Sequence, residues 1–357
     1  MSFYSVFKLE RILEMKLKML VLSLLLLTGT SVSLISCSGH NPTSLSNLLT
    51  PTSTPSYTNG GVVTTLAGVY NVTGFTNGNA VSVAGSGISA ATFHYPYAVA
   101  VDGAGNVYVD DYSNNAIRKI SKGIVTTLAT GFDDPEAIAV DKTGNVYLAD
   151  TNNNQITEIT TNNTRINVGG NGTSGFLDGS ASNAEFSEPD GVAVDNSGNV
   201  YVADYGNNVI RKISNGIVST IAGNGTDGYV DGPGAAAEFY DVYGVAVDNS
   251  GNIYAADYEN NAIRKITPGG IVSTYDPFYE PETLALDSQG DLFVANNTEV
   301  WKFSSTGQSL LAGNSTYGFV NGTGSAAEFY DIYGIAVASN GVVYVADENN
   351  QLIRQIQ

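Results

Sequence analysis

GVAVDNSGNVYVADYGNNVIRKISNGIVSTIAG, residues 191–223, decides the fold of this 357-residue chain. Its apolar runs GVAVD, NVYVAD, VIRKI and GIVSTIAG read as strands, and DNSGN, DYGNN and SNG read as the turns between them. Copies begin near Ala98, Ala137, Gly244, Thr283 and Gly334. Four short antiparallel strands in a unit of about 40 to 50 residues make a β-propeller blade, so the repeat predicts an all-β, six-bladed β-propeller. The innermost strand carries Ala100, Ala139, Ala193, Ala246, Ala285 and Ala336 at one position. Blades crowd at the axis, where a small side chain fits. The next strand carries Tyr108, Tyr147, Tyr201, Tyr254, Phe293 and Tyr344, rings large enough to fill the widening gap between sheets.

The two ends of the repeat region complement each other. Residues 61–68, GVVTTLAG, match the outermost strand of the blades, whereas the last copy stops at LIRQIQ without one. This predicts a ring closed by the N-terminal strand completing the last blade, which removes an exposed sheet edge. Upstream lie three further features. Lys16 and Lys18 precede the apolar run MLVLSLLLLTGTSVSLI, which reads as a secretory signal and is too short for a membrane span, with Met1 or Met15 as the start. The run ends in Leu34-Ile-Ser-Cys37, which resembles the bacterial lipobox and implies cleavage before Cys37 and lipid on its sulfur. An ordinary signal peptide with an incidental cysteine is the alternative, although Cys37 is the one cysteine of the chain. Residues 38–60 are rich in Ser, Thr, Pro and Asn and uncharged, and read as a flexible tether of about 25 Å average span. The domains are thus 1–37 signal and lipobox, 38–60 tether and 61–357 propeller, with the protein anchored by lipid to a bacterial cell envelope and facing the periplasm or the outside.

The strings GVAVDNSGNVYVADYGNNVIRKI, GVAVDNSGNIYAADYENNAIRKI and AVAVDGAGNVYVDDYSNNAIRKI resemble NHL repeats, and the resemblance covers nearly all of residues 61–357. The fifth copy departs from it, with a shortened turn and Trp301 in place of the Ile-Arg pair. The sixth has Ala338 where the others have Asp102, Asp141, Asp195, Asp248 and Asp287.

Residues repeated from blade to blade read as scaffold. Asp111, Asp150, Asp204, Asp257 and Asp347 each precede an Asn-rich turn and are expected to bond to its backbone. Arg118, Arg211, Arg264 and Arg354 are expected to pair with acids between blades. Candidate sites lie instead where copies differ, just before the inner strand. One position there reads Tyr97, Glu136, Asp190, Tyr243, Glu282 and Tyr333; two residues earlier stand Tyr95, Asp134, Glu188, Asp241, Glu280 and Asp331. In NHL-type propellers this connection lies on the top face, which implies a collar of acids and tyrosines at the channel mouth. A merely solvated acidic loop is the alternative.

The steps between Asp102, Asp141, Asp195, Asp248, Asp287 and Ala338 are 39, 54, 53, 39 and 51. The four long connections carry Gly-aromatic-x-Asp/Asn-Gly flaps at 74–78, 175–179, 228–232 and 318–322. Long, short, long occurs twice, a pseudo-twofold that sets Tyr97 opposite Tyr243, Glu136 opposite Glu282 and Asp134 opposite Glu280, around a cleft bounded by flaps. Duplication of a three-blade ancestor explains the spacing equally well.

Composition narrows the function. Of 15 basic and 34 acidic residues, four and two precede Cys37, leaving 11 against 32. Such a charge repels phosphate and disfavours nucleic acid. A zinc site of histidines, as in the propeller-fold amidating lyases, is disfavoured because only His40 and His94 are present and His40 lies in the tether. Asn-x-Thr strings such as Asn171-Gly-Thr reflect turn composition. The reading is a monomeric propeller that binds a protein, basic peptide or glycan at its top face, with no catalytic residue assigned. The alternatives are a calcium-dependent hydrolase like the lactonases, with Glu136, Asp190 and Glu282 as candidate ligands, and a structural spacer.

Overall fold

A computed structural model describes residues 60–81 and 90–357; the signal and lipobox (1–37) and the tether (38–60, all but Gly60) lie outside the described residues. Six antiparallel sheets follow one another along the chain, and their inner strands touch in cyclic order, the sixth against the first. These inner strands are Pro96–Val101, Pro135–Val140, Pro189–Val194, Val242–Val247, Thr283–Leu286 and Ile332–Val337, in blades 1 to 6. The sixth sheet is closed by the other end of the chain. Val62–Gly68 pairs antiparallel with Leu352–Ile356, with Val63 opposite Ile356, Thr65 opposite Arg354 and Gly68 opposite Leu352.

Period-two alternation makes each blade apolar on both faces. In blade 1, Val99, Val107 and Val109 pack toward Ala336 and Tyr344 of blade 6, while Ala98, Ala100 and Tyr108 pack toward Ile138 and Leu148 of blade 2. Two small positions, rather than the one read from the sequence, let inner strands approach. Besides the repeated alanine there is a second, occupied by Ala98, Ala137, Gly191, Gly244, Thr283 and Gly334. A Cβ on Gly334 would lie 2.6 Å from Ala98 Cα, and one on Gly191 would run into the Tyr243 carbonyl.

Blades 2 and 5 have four strands, whereas blades 1, 3, 4 and 6 have five. The extra strand is two residues from the end of each flap, Gly78–Asn79, Gly179–Ser180, Gly232–Pro233 and Gly322–Thr323, added outside the outermost strand. The flaps therefore thicken the rim of the ring and do not wall a cleft at the channel mouth. Each is fastened by a fully buried arginine. Arg211 donates to Asp204 (2.6 Å) within its own blade, to Asp178 (2.8 Å) and the Leu177 carbonyl of the flap, and to the Glu185 carbonyl. Its guanidinium lies between the rings of Phe176 and Phe186, 5.2 and 4.9 Å away. Arg118, Arg264 and Arg354 repeat this cluster with Asp111 and Asn77, Asp257 and Asp231, and Asp347 and Asn321. Expected pairing between blades is thus corrected to pairing within a blade and its flap, because the arginine is the one donor long and branched enough to bind both.

Removing residues 61–68 leaves Leu352–Ile356 as an open edge, so the truncated protein should melt at lower temperature and elute as associated species in size-exclusion chromatography. Arg211→Ala strands Asp204 without its buried counter-charge and should lower the unfolding free energy by about 3–5 kcal/mol in denaturant titration.

Candidate functional site

The loop leading into the inner strand is fixed in blades 1 to 4 by two consecutive N–H groups, and in blades 5 and 6 by one of the two. The first donates to the repeated aspartate of the same blade, as His94 N to Asp111 (2.7 Å), Asp133 N to Asp150, Ser187 N to Asp204, Tyr240 N to Asp257 and Tyr330 N to Asp347 (2.8 Å each). These aspartates therefore serve the fold as expected, but the backbone N–H they bind lies 17 positions away, while within their own turns Asp150, Asp204, Asp257 and Asp347 accept from the side chains of Asn153, Asn207, Asn260 and Asn350. The second N–H reaches the preceding blade. Asp134, Glu188, Asp241 and Glu280 donate to the side-chain oxygens of Asn115, Asn154, Asn208 and Asn261, at 2.7–3.0 Å. Tyr95 closes the circle on Gln351 Oε1 at 2.7 Å. Blade 5, with its shortened turn, offers only the Asn297 carbonyl, bound by Ile332 N. All six second residues, Tyr95, Asp134, Glu188, Asp241, Glu280 and Asp331, have φ between 45° and 62°. None is glycine, so the latch holds each against about a kilocalorie or more of backbone strain. The outer row of the expected collar is thus a row of backbone fastenings; Asp134 also accepts from Asn152 Nδ2 at 2.8 Å.

Two residues further on the chain is extended and turned to the axis. Glu136, Asp190, Glu282 and Tyr333 line an axial cavity of about 60 Å³, floored by one aliphatic side chain per blade, such as Val99, Ile138 and Val192. Tyr97 and Tyr243 stand beside it, and Asp134 and Glu280 are not among its lining residues. The alternative of a solvated loop is corrected, since Glu136, Asp190 and Glu282 are 3%, 6% and 7% exposed. Tyr97 stacks on Tyr333 with centroids 4.6 Å apart, and Tyr243 on Tyr205 at 5.2 Å.

Tyr205 belongs to a second ring of site residues hidden in the DYGNN turn. That position reads Tyr112, Thr151, Tyr205, Tyr258, Asn297 and Glu348, and varies as freely as the collar. Tyr112 lies 5.5 Å from Tyr97 and Tyr258 lies 5.0 Å from Tyr243, ring to ring. Thr151 Oγ1 donates to the Pro189 carbonyl at 2.8 Å. Burial and the nearby carboxylates Glu136 and Asp134 push the Tyr112 phenol far above its ordinary range. Burial, then Glu282 and Glu348, does the same to Tyr333. Tyr112 and Tyr333 are neutral acceptors and donors at any physiological pH.

Asp110 adds a buried acid that belongs to no repeat. Where blade 1 has Asp110 the other blades have Ala149, Ala203, Ala256, Ala295 and Ala346. It is fully buried, and neither carboxyl oxygen has a hydrogen-bond partner. Burial, reinforced by Asp111, Glu136, Asp150 and Asp134, raises its pKa well above the ordinary carboxyl value. Calcium needs six to eight oxygen ligands. Among the described residues no three His, Cys, Asp or Glu side chains are gathered as a metal set. Glu136, Asp190 and Glu282 line the same cavity without being gathered into such a set, so the residues present do not assemble the ligands of that ion.

Fold and site together define a six-bladed β-propeller with an acidic, tyrosine-rich axial mouth. The NHL repeat family model matches residues 132–158, 186–213, 239–266 and 329–356, the cores of blades 2, 3, 4 and 6. The chain thus carries four matched NHL repeats within a six-bladed β-propeller. It is 26% identical to Protein SUPPRESSOR OF QUENCHING 1, chloroplastic, of Arabidopsis thaliana over 54% of this chain and 27% of that protein, and so spans about a quarter of that relative's length. A Bacteroides thetaiotaomicron protein of unknown function superposes with TM-score 0.65 at 18% identity, covering 84% of this chain and 76% of its own. A gluconolactonase of Xanthomonas campestris gives 0.56 at 12% identity (81% and 97%), and a streptogramin B lyase 0.52 at 13% (79% and 96%). At these identities the likeness is one of fold.

Because Asp110 holds its proton when folded and releases it near pH 4 when unfolded, stability should fall as pH rises above about 4. Asp110→Ala, which installs the residue of the other blades, should raise the unfolding free energy by about 1–3 kcal/mol, more at pH 8 than at pH 5, in parallel denaturant titrations.

Proposed function

We propose that this protein is a binding propeller whose axial top face takes a positively charged ligand. The observation that carries the reading is the burial of Glu136, Asp190 and Glu282 around one small cavity, with no Lys, Arg or His among the collar and turn residues. Carboxylates gathered at a channel mouth make its potential negative and draw cations to it. An ammonium or guanidinium tip answers that potential and is small enough to enter. A sugar ring suits the site less. About 60 Å³ is well below the roughly 150 Å³ that holds a benzene ring, and the stacked tyrosines cover one another's faces. Basic peptide is therefore favoured over glycan among the ligands expected from the sequence.

The lactonase-like alternative rests on fold likeness at 12% identity and has no assembled calcium ligands in its favour. Anchored through Cys37 and its tether, a monomeric propeller of this kind would present its acidic mouth to peptides or amines outside the cytoplasm.

Pentalysine should bind in calorimetry at physiological ionic strength, and a neutral oligosaccharide of equal size should not. Glu136→Gln with Glu282→Gln should weaken pentalysine binding at least tenfold, about 1.4 kcal/mol, with the melting temperature unchanged or raised. Undiminished binding by the double variant overturns the assignment.

A further inference from the structure

We infer that an arc of tyrosines on the top rim of blades 4 to 6 is a docking shelf for the peptide chain that flanks the cationic tip, and that it selects arginine-rich peptides over lysine-rich ones. This rests on the cation-binding reading above and deepens it. The residue three positions before each collar residue reads His94, Asp133, Ser187, Tyr240, Tyr279 and Tyr330 in blades 1 to 6. The residue just before each flap core reads Thr73, Ser174, Asp227 and Tyr317 in blades 1, 3, 4 and 6. Tyrosine therefore gathers on one side of the rim and polar residues on the other. The pseudo-twofold does not account for this, since it relates Tyr279 to Asp133, Tyr330 to Ser187 and Tyr317 to Ser174.

The rings of this arc are open to solvent. Tyr279 is 69% exposed, the most of any large apolar side chain among the described residues, and Tyr240, Tyr317 and Tyr330 are exposed as well. Tyr317 and Tyr330 meet with centroids 5.2 Å apart. An acid follows three of the rings, Asp241 after Tyr240, Glu280 after Tyr279 and Asp331 after Tyr330. Desolvation and a hydrogen bond to Glu280 push the Tyr279 phenol up to about 12, with Tyr317 and Glu259 adding to the rise. Burial raises the Tyr317 phenol against its hydrogen bond with Asn297, and Asp331, Glu280 and Glu282 add to it. Tyr317 thus stands within electrostatic reach of Glu280 on the shelf and of Glu282 in the cavity, which makes the two continuous. The basic residues of blades 4 to 6 are engaged elsewhere. Arg264 and Arg354 are fully buried, and the ammonium groups of Lys265 and Lys302 lie over Tyr254 and Phe293. One exposed ring needs no partner, but four in one arc interleaved with carboxylates form an interaction surface. Lysine and arginine bring it the same charge, whereas the guanidinium is planar, more weakly hydrated and stacks on aromatic faces. The rim already shows this contact, with Arg264 5.0 Å from the centroid of the Tyr229 ring.

Calorimetry with pentaarginine against pentalysine at one ionic strength tests this, because the two peptides differ in the shape of the cation and not in its charge. Pentaarginine should bind about tenfold tighter, the size of one or two ring contacts. Tyr279→Ala with Tyr317→Ala should erase that preference and leave pentalysine within about threefold of its original affinity. Tyr279→Phe with Tyr317→Phe keeps the ring faces and should retain the preference. Tyr279→Ala alone removes the most exposed ring, and should cut the preference by about threefold even if the double variant melts early. Equal affinity for the two peptides, or a preference that survives loss of the rings, overturns the shelf while pentalysine binding leaves the cation-binding reading intact. Failure of both peptides overturns both.

Discussion

Four buried guanidinium groups hold the rim of this protein together. Arg118, Arg211, Arg264 and Arg354 each join the third strand of a blade to a flap that arrives from some 33 to 42 residues away, and each lies between two aromatic rings. The ion pair at the centre, 2.5–2.6 Å in all four, would be a poor source of stability alone, since burial pushes Asp204 and Asp347 up to about 6 against the pull of the arginine. Its value is specific: the planar fork satisfies a carboxylate, a flap carbonyl and a flap side chain at once. Blades 2 and 5, which lack the flap, have Thr157 and Trp301 in place of the arginine. In blade 2 the orphaned role of countering Asp150 passes to the half-exposed Arg165, 3.8 Å away. Flap and arginine come and go together because neither is affordable without the other.

The same aspartates connect rim to axis. One carboxyl oxygen of Asp204 takes Arg211 and the other takes Ser187 N, so the residue that anchors the flap also aims the loop that delivers Asp190 to the cavity. Left-handed backbone two residues before each collar position turns the chain sharply enough to present its side chain inward. A rigid frame is what lets carboxylates be held in a nearly dry place in the first place.

Most of the fold could be read from the sequence because six copies repeat the same physical problem. The closure at Val62–Gly68, the narrow alanine position and the departures of blade 5 all follow from aligning the copies. Long-range partners could not be read in this way. Asp111 looks like a local turn former, since nothing in DYSNN announces that its carboxyl will bind His94 N, 17 residues earlier. The collar was legible as the place where copies differ, but Tyr112, Tyr205 and Glu348 were masked by the regular Asp and Asn on either side of them. Asp110 had a visible signal, Asp-Asp where every other blade has Ala-Asp or Ala-Asn, and its importance lies in burial, which sequence alone does not display.

The seam in blade 6 also has a temporal side. Val62–Gly68 is made among the first parts of the propeller, and its partner Leu352–Ile356 among the last. The contact Gln355 Nε2 to Thr64 Oγ1 spans 291 residues of chain. Contacts so distant in sequence form late and slowly. During synthesis, five blades can stack on their neighbours in order while the first strand waits as an unpaired, β-branched segment, able to join any exposed edge it meets. The ring that protects every edge once complete therefore exposes its most adhesive strand for the whole of its own assembly.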